Sequence, residues 1–567
     1  MPKFKFAILI LIFLFFVETG YARAPLVLNE GTIGVTSLVP GMSGHMLTVI
    51  QGTEPSKIPV KIIAVVPQQG GSNLRNLILV RIRNDVKLAQ GMSGSPVYFD
   101  GKLAGAVRSG WENSDQSLAF VTPIEEMLNL AEYEAEYEAE GRKLADVSIS
   151  GLSASTPSML ELSQKLGIKF IQGASSSPVK NSFNPEKLEK FKPGSAISVF
   201  LVWGDVEISA LGTVTCVSKG GEFLAIGHEF LRRGKVNYPT AGAIIHGIVD
   251  SSEFPFKLST AQGINGTILQ DRDAGLLGKM GYYAPSVSCK FVFRNLDNKT
   301  EKTSYFRTVC NEFLADALIE RICRGLTEEL WDRKGQGTMS ITLRIDGKGM
   351  SKGWTRKDIF FSEEDVITES FKQTKAILNA FLTQPYSEVL PASFTITVEA
   401  SQRPKVLSIE DIETVNEAGP GEEISVKVRL REWRGEVFTK KFSLKIPEDS
   451  TGVVELIVRG GGTQSFEQAG INGGWKSVTS LERMLTEFKA ADGNNQLILE
   501  LNSDKTEQAF KEALNKKNQK DFLPEEEEYL SETKERRIKE GTLKIYNSEY
   551  VIDGLMRRII HTEKRGE

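Results

Sequence analysis

Between Leu26 and about Val121 the apolar positions fall in short runs. Ile58–Val66, Leu77–Ile82, Pro96–Phe99 and Leu103–Val107 are apolar or alternating, bounded by Gly, Asn and Asp, which predicts strands and turns. Asp100-Gly101 between two of these runs marks a tight hairpin. A helix is predicted from near Pro123, with Glu125 and Glu126 in its first turn. It leads into the repetitive charged stretch Glu132–Glu140, a solvated helix or linker. A second β-rich region opens with Ile197–Trp203, Glu207–Cys216 and Glu222–Ile226 and continues to roughly Arg294. Within Phe306–Lys334, Leu314, Leu318, Ile322 and Leu326 recur every four residues, the apolar face of a helix. Met339–Ile345 and Phe394–Ala400 read as strands around a helix at Glu363–Leu382, and Glu423–Leu430 with Glu436–Ile446 as a hairpin. Residues 335–460 therefore read as a mixed or sandwich-like accessory domain. From about 505 onward the chain is strongly charged, including Glu525–Glu528, and reads as an exposed, partly disordered tail.

The 567 residues are 40% hydrophobic and 25% charged, an ordinary globular composition that excludes a collagen-like, wholly disordered or polytopic membrane chain. Sixty-nine Lys+Arg against 73 Asp+Glu leave a formal charge of −4, so no long-range attraction to nucleic acid is expected. Four cysteines in this length are no disulfide scaffold, and their spacing does not say which would pair. Only His45, His228, His246 and His561 can supply imidazole chemistry. The sequence contains no HExxH, no Cys-x-x-Cys and no Walker-type Gly-Lys-Thr, so neither a metal nor a cofactor is expected.

Residues 1–24 read as an export signal. Lys3 and Lys5 precede an unbroken apolar run, Phe6–Val17, followed by small residues. Pro25 disfavours a cut after Ala24 and leaves Ala22 as the preferred position. The run is short for a bilayer-spanning helix, and an uncleaved N-terminal anchor is the alternative, the one route to a membrane.

The segment richest in chemistry is Gly91-Met92-Ser93-Gly94-Ser95-Pro96, followed by Val97–Phe99, the Asp100-Gly101 turn and Lys102–Val107. A serine among small residues that runs straight into a hairpin has the exposure and the room a nucleophile needs. The backbone N–H groups of Gly91 and Ser93 can converge as an oxyanion hole. An α/β-hydrolase elbow would place a helix after the serine, whereas a hairpin follows here. The tetrapeptide alone is a weak signal, because Gly41-Met42-Ser43-Gly44 repeats it before His45, without the Ser-Pro and the hairpin.

Gly91–Val107 resembles the active-serine segment of the stage IV sporulation protein B peptidase family, a branch of the trypsin-like serine peptidases. The resemblance implies that Ser93 is the nucleophile and that Ser95 is a neighbouring motif serine without a proton-transfer role. Leu224-Ala225-Ile226-Gly227-His228 resembles the family's apolar-Gly-His segment, which implies His228 as the base. From the residues alone, His228 follows a buried strand and a glycine, a strand-end position, while His45 and His246 remain alternatives. In the family the histidine half precedes the serine half. Here Ser93 comes 135 residues before His228, so the resemblance implies two halves in circularly permuted order. The family acid lies upstream of the serine, which points to Asp85, and a Ser–His dyad is the alternative. No segment matches the family's PDZ module.

The expected fold is mostly β: two trypsin-like β-barrel halves in permuted order plus a mixed α/β or β-sandwich accessory domain. The expected organisation is a signal at 1–24, a serine half at 25–130, a helical linker region at 131–194 and a histidine half with a following helix at 195–334. An accessory domain at 335–504 and a charged tail at 505–567 complete it. The expected function is an exported serine endopeptidase (periplasmic, envelope-associated or extracellular) that works through an acyl-enzyme on protein or peptide substrates, itself included. The rival readings are a non-catalytic envelope binding or assembly protein on the same scaffold, and an esterase.

Overall fold

The computed structural model describes residues 26–67, 76–83, 86–132, 145–173, 190–251, 253–463, 478–503 and 529–562. The signal segment and Asp85 lie outside them.

The first six strands are β1 (Ser43–Val49), β2 (Pro55–Pro67), β3 (Asn76–Ile82), β4 (Pro96–Phe99), β5 (Lys102–Ser109) and β6 (Leu118–Pro123). They close into a barrel in the order β1-β2-β3-β6-β5-β4. Period-two alternation builds it. In β2, Ile58, Val60 and Ile62 are buried while Lys57, Pro59 and Lys61 between them are outside. Met46, Ile78, Val80, Val97, Phe99 and Val121 complete the core. The β4–β5 hairpin turns at Asp100 (φ 50°) and Gly101 (φ 72°), the left-handed pair that a two-residue hairpin loop requires.

After the short helix α1 (Ile124–Leu128), residues 145–172 form β7 (Ala145–Ser150), α2 (Pro157–Leu166) and β8 (Ile168–Gln172), with β7 and β8 parallel. The region expected to be a helical linker is thus a β-α-β unit where it is described. Thr156 caps α2 at its start, and Gly167 ends it in the left-handed conformation.

The next six strands are β9 (Ala196–Gly204), β10 (Glu207–Val217), β11 (Glu222–Ala225), β12 (Gly234–Val249), β13 (Phe256–Arg272) and β14 (Gly275–Met280). Because β9 pairs with both β10 and β12, these strands close a second ring, β9-β10-β11-β14-β13-β12. Counted from its first strand, this ring has the same order as the first barrel. The mostly β, barrel-containing fold expected from the sequence is the fold observed.

The second barrel does not end at its own edge. From β9 the sheet continues through β16 (Thr300–Val309), β15 (Ser286–Asn295), β19 (Ala392–Ser401), β17 (Gly337–Gly347) and β18 (Trp354–Ser362). Helices α3 (Glu312–Trp331) and α4 (Val366–Thr383) bury their apolar faces in the same core cluster as these strands. Within 406–562 the described residues form a sandwich of two four-stranded sheets over a shared core that includes Val426, Val428, Leu456 and Leu499. The charge-rich C-terminal stretch differs from expectation. Leu530–Glu540 is a helix, and 543–547, 551–553 and 555–562 are strands of this sandwich. Leu543, Ile552 and Ile560 are buried among the surrounding charges.

Two apolar clusters join the barrels. One packs Tyr98, Leu103, Ala106 and Met127 against Cys216, Leu224, Ala274 and Leu277, and the other packs Val49 against Ala196, Ala243 and Ile245. The barrels therefore share a dry junction.

Candidate active site

Ser93 sits in the loop between the third and fourth strands of the first barrel, and His228 follows the third strand of the second. The serine loop is anchored from both sides. Met92 is fully buried in the first barrel's core, and its carbonyl accepts from Ser95 Oγ (2.6 Å) and the Ser95 N–H (3.0 Å). Three other carbonyls are held by the second barrel. Gly91 O accepts from Thr213 Oγ1 (2.9 Å) and Lys257 Nζ (3.1 Å). Ser93 O accepts from the Thr213 N–H (2.8 Å) and Gly94 O from Thr215 Oγ1 (2.8 Å).

The glycines of the motif are required by this docking. A Cβ on Gly94, whose φ is 93°, would lie 2.0 Å from Thr213 O and 2.3 Å from Ile226 N. A Cβ on Gly91 (φ 89°) would lie 2.7 Å from Leu211 Cδ2. Among the described residues, the loop's backbone donors Met92, Gly94 and Ser95 are satisfied by Ala89 O, Val107 O and Met92 O, and no such acceptor meets the Gly91 and Ser93 N–H groups.

The histidine turn is strained. Ile226, a β-branched residue, has φ 68°, and Gly227 follows at φ 67°. The Gly227 carbonyl accepts from Thr122 Oγ1 (2.5 Å) and Arg108 Nη1 (3.4 Å), both on the first barrel. His228 Nδ1 lies 2.6 Å from the Glu229 carbonyl, which can only accept. Nδ1 therefore carries the proton, and Nε2 is the basic nitrogen of the neutral ring. Beyond the histidine, the buried Asp271 carboxylate accepts from the N–H groups of Phe230 (2.8 Å), Leu231 (2.8 Å) and Arg233 (3.5 Å) and closes the turn. Burial pushes the Asp271 carboxyl up to about 6, against the pull of those three donors.

Thr213 links the two segments through its backbone, its N–H on Ser93 O and its carbonyl accepting from the Ile226 N–H (3.2 Å), and Arg108 links them through its own carbonyl and side chain. The Ser93 hydroxyl donates to the Arg108 carbonyl (3.3 Å). The Arg108 guanidinium reaches into the second barrel, to Asp273 Oδ1 (2.7 Å), Asp273 O (2.6 Å) and Glu229 Oε2 (3.2 Å). Ser93, Arg108, Gly227 and Asp273 thus meet at one place on the junction, and His228 follows Gly227 in the chain.

The structure brings together Ser93, the Gly91 and Ser93 N–H groups and the His228 turn. Asp85 lies outside the described residues. The described carboxylates beside the histidine are Glu229, Asp271 and Asp273, and Asp273 occupies the turn between β13 and β14 of the histidine's own barrel. Its signal in the sequence was the strand-ending Asp271-Arg272-Asp273-Ala274-Gly275 turn. The other candidates lie elsewhere. Ser43 is exposed at the start of β1, and His45 stacks on Tyr98 with ring centroids 5.1 Å apart. Burial, with Lys57 nearby, lowers the His45 pKa. His246 is exposed and shares a 2.8 Å hydrogen bond with Thr260. No protein-family model, no curated protein and no solved structure matches the chain.

Proposed function

We propose that the chain is a serine endopeptidase, exported by its N-terminal segment, that forms an acyl-enzyme on protein substrates. Ser93 Oγ attacks the scissile carbonyl, His228 Nε2 takes the proton and returns it to the leaving amine, and the Gly91 and Ser93 N–H groups hold the oxyanion. Asp273 is assigned as the third member, stabilising the imidazolium as it forms. The observation that carries this reading is the docking of the serine loop of one barrel against the histidine turn of the other. A nucleophile and base on separate barrels is the layout of the chymotrypsin β-barrels. The resemblance of Gly91–Val107 and Leu224–His228 to the sporulation peptidase family points the same way.

A fluorophosphonate probe tests it, since an activated serine attacks its phosphorus and expels fluoride, leaving a phosphonylated serine. The full chain should be labelled on Ser93 and should cleave peptide bonds, which an esterase leaves intact. Failure of both labelling and turnover would reject the peptidase. A non-catalytic binding or assembly protein is the second reading, favoured by one observation: the Ser93 hydroxyl donates to the Arg108 carbonyl.

A further inference from the structure

We propose that Lys257 is a positioning residue of the serine loop: its backbone N–H fixes the peptide that carries the Gly91 N–H, and its Nζ fixes the next peptide, Gly91–Met92, which joins that donor to Ser93. The proposal rests on the peptidase reading above for its catalytic consequence. Lys257 is the second residue of β13, and its two ends grip the loop at adjacent peptides. Its N–H donates to Gln90 O (3.1 Å) and its Nζ to Gly91 O (3.1 Å). In a planar trans peptide the carbonyl and the following N–H point in opposite directions. Drawing the Gln90 carbonyl inward therefore turns the Gly91 N–H outward. The Met92 carbonyl, held by Ser95, does the same for the Ser93 N–H.

The setting is unusual for a lysine. The side chain is buried, its Nζ also reaches Thr48 Oγ1 (2.7 Å), and among the described residues no carboxylate pairs with it. Burial of the amine holds its pKa down to about 7. A methionine or leucine would fill the same space without that desolvation cost. A lysine kept there has a task that apolar packing cannot perform, and its contacts are with the loop's carbonyls.

The test compares the full chain with Lys257→Met, and with Lys257→Gln as a second variant should the first not fold. Amide hydrogen exchange at Met92 and Gly94 should quicken by about 10-fold, with the strands of both barrels unchanged. Peptide kcat should fall by about 10- to 100-fold with KM within about 3-fold. Affinity for a peptide boronate should weaken in parallel, while that for an uncleaved peptide stays constant, because loss of an oriented donor is felt in the transition state. Unchanged loop exchange in both variants would overturn the proposal, as would equal losses for boronate and peptide. Loss of phosphonate labelling to the level of Ser93→Ala, with a shifted acid limb in the pH profile, would make Lys257 the base and overturn it too. If the wild type neither turns over peptide nor reacts with the probe, the peptidase reading fails, and the exchange result still decides whether Lys257 holds the loop.

Discussion

The two barrels have one strand order and hold their third-to-fourth-strand loops in different ways. In the second barrel, the turn carrying His228 is closed by its own Asp271, through three N–H groups. In the first barrel, the loop carrying Ser93 has the Gly91, Ser93 and Gly94 carbonyls held by Thr213, Lys257 and Thr215 of the other barrel. The histidine turn is closed within its own barrel and held across the junction at the Gly227 carbonyl, whereas three carbonyls of the serine loop are held from the other barrel. If the proposed peptidase reading holds, activity requires both barrels to be folded and seated, because the carbonyls of the serine loop are fixed from across the junction.

The largest effect should separate Ser93 from its duplicate. Ser93→Ala and His228→Ala should each lower peptide turnover by about 10³-fold or more, and the double variant should be barely worse than either, because members of a catalytic unit do not act additively. Ser43→Ala, in the exposed Gly-Met-Ser-Gly copy, should leave turnover within about 3-fold. Steady-state kinetics on purified, folded variants checks both. Equal losses at Ser43 and Ser93 would remove the contrast between the docked and the exposed motif.

The next contrast is between carboxylates within the second barrel. Asp273→Asn should lower kcat by about 10²-fold or more if it stabilises the imidazolium. Asp271→Asn should act on stability, through the turn it caps, and show as a lower melting temperature. Exchange of these two phenotypes would assign the acid to Asp271.

Gly94→Ala should break the docking. A Cβ there meets Thr213 O at 2.0 Å and the backbone φ is 93°, so a loss of at least about 3 kcal/mol in denaturant unfolding is expected. Gly101→Ala supplies the control, because its φ is 72° but nothing lies within 4 Å, leaving only the conformational cost of about 1 kcal/mol. Comparable losses at the two glycines would mean that the junction yields where the geometry says it cannot.

These positions also show what could be read along the chain and what could not. Strands β2–β5 and β9–β11 were legible because alternation such as that of Lys57–Ile62 is local, and the Asp100-Gly101 turn declares itself, whereas β1, β6 and β12–β14 were not picked out one by one. The Ser93 loop was singled out because its whole segment, through Val107, is continuous in sequence. Asp273 was not, since it lies 45 residues after His228 and reaches the junction through its ion pair with Arg108. Arg108, Thr213 and Lys257 act on backbone carbonyls, which leave no trace in residue pattern. The C-terminal strands were masked by composition. Leu555–Thr562 carries two arginines and a histidine, yet Ile560 and Thr562 are buried in the sandwich.

The smallest effect concerns the amine beneath the serine loop, and it bears on the junction whether or not the protein hydrolyses anything. Lys257 has its pKa held down to about 7 by burial, against about 10.4 for an unfolded lysine. Between those values the unfolded chain binds a proton that the folded chain does not. This contribution to stability is present in full above the unfolded pKa and is lost as pH falls toward 7. The slope is at most about 1.4 kcal/mol per pH unit for a single group. Lys257→Met abolishes the titration, so the variant's urea-unfolding free energy should rise less between pH 7 and 10 than the wild type's, by about 1 kcal/mol per unit. Asp271 cannot mimic this, because its raised carboxyl pKa of about 6 acts below the window and with the opposite sign, losing stability as pH rises. Parallel wild-type and Lys257→Met curves over that interval would mean that the amine keeps its ordinary pKa and that water reaches the junction, and the contrast between a self-closed turn and a docked loop would lose its dry interface.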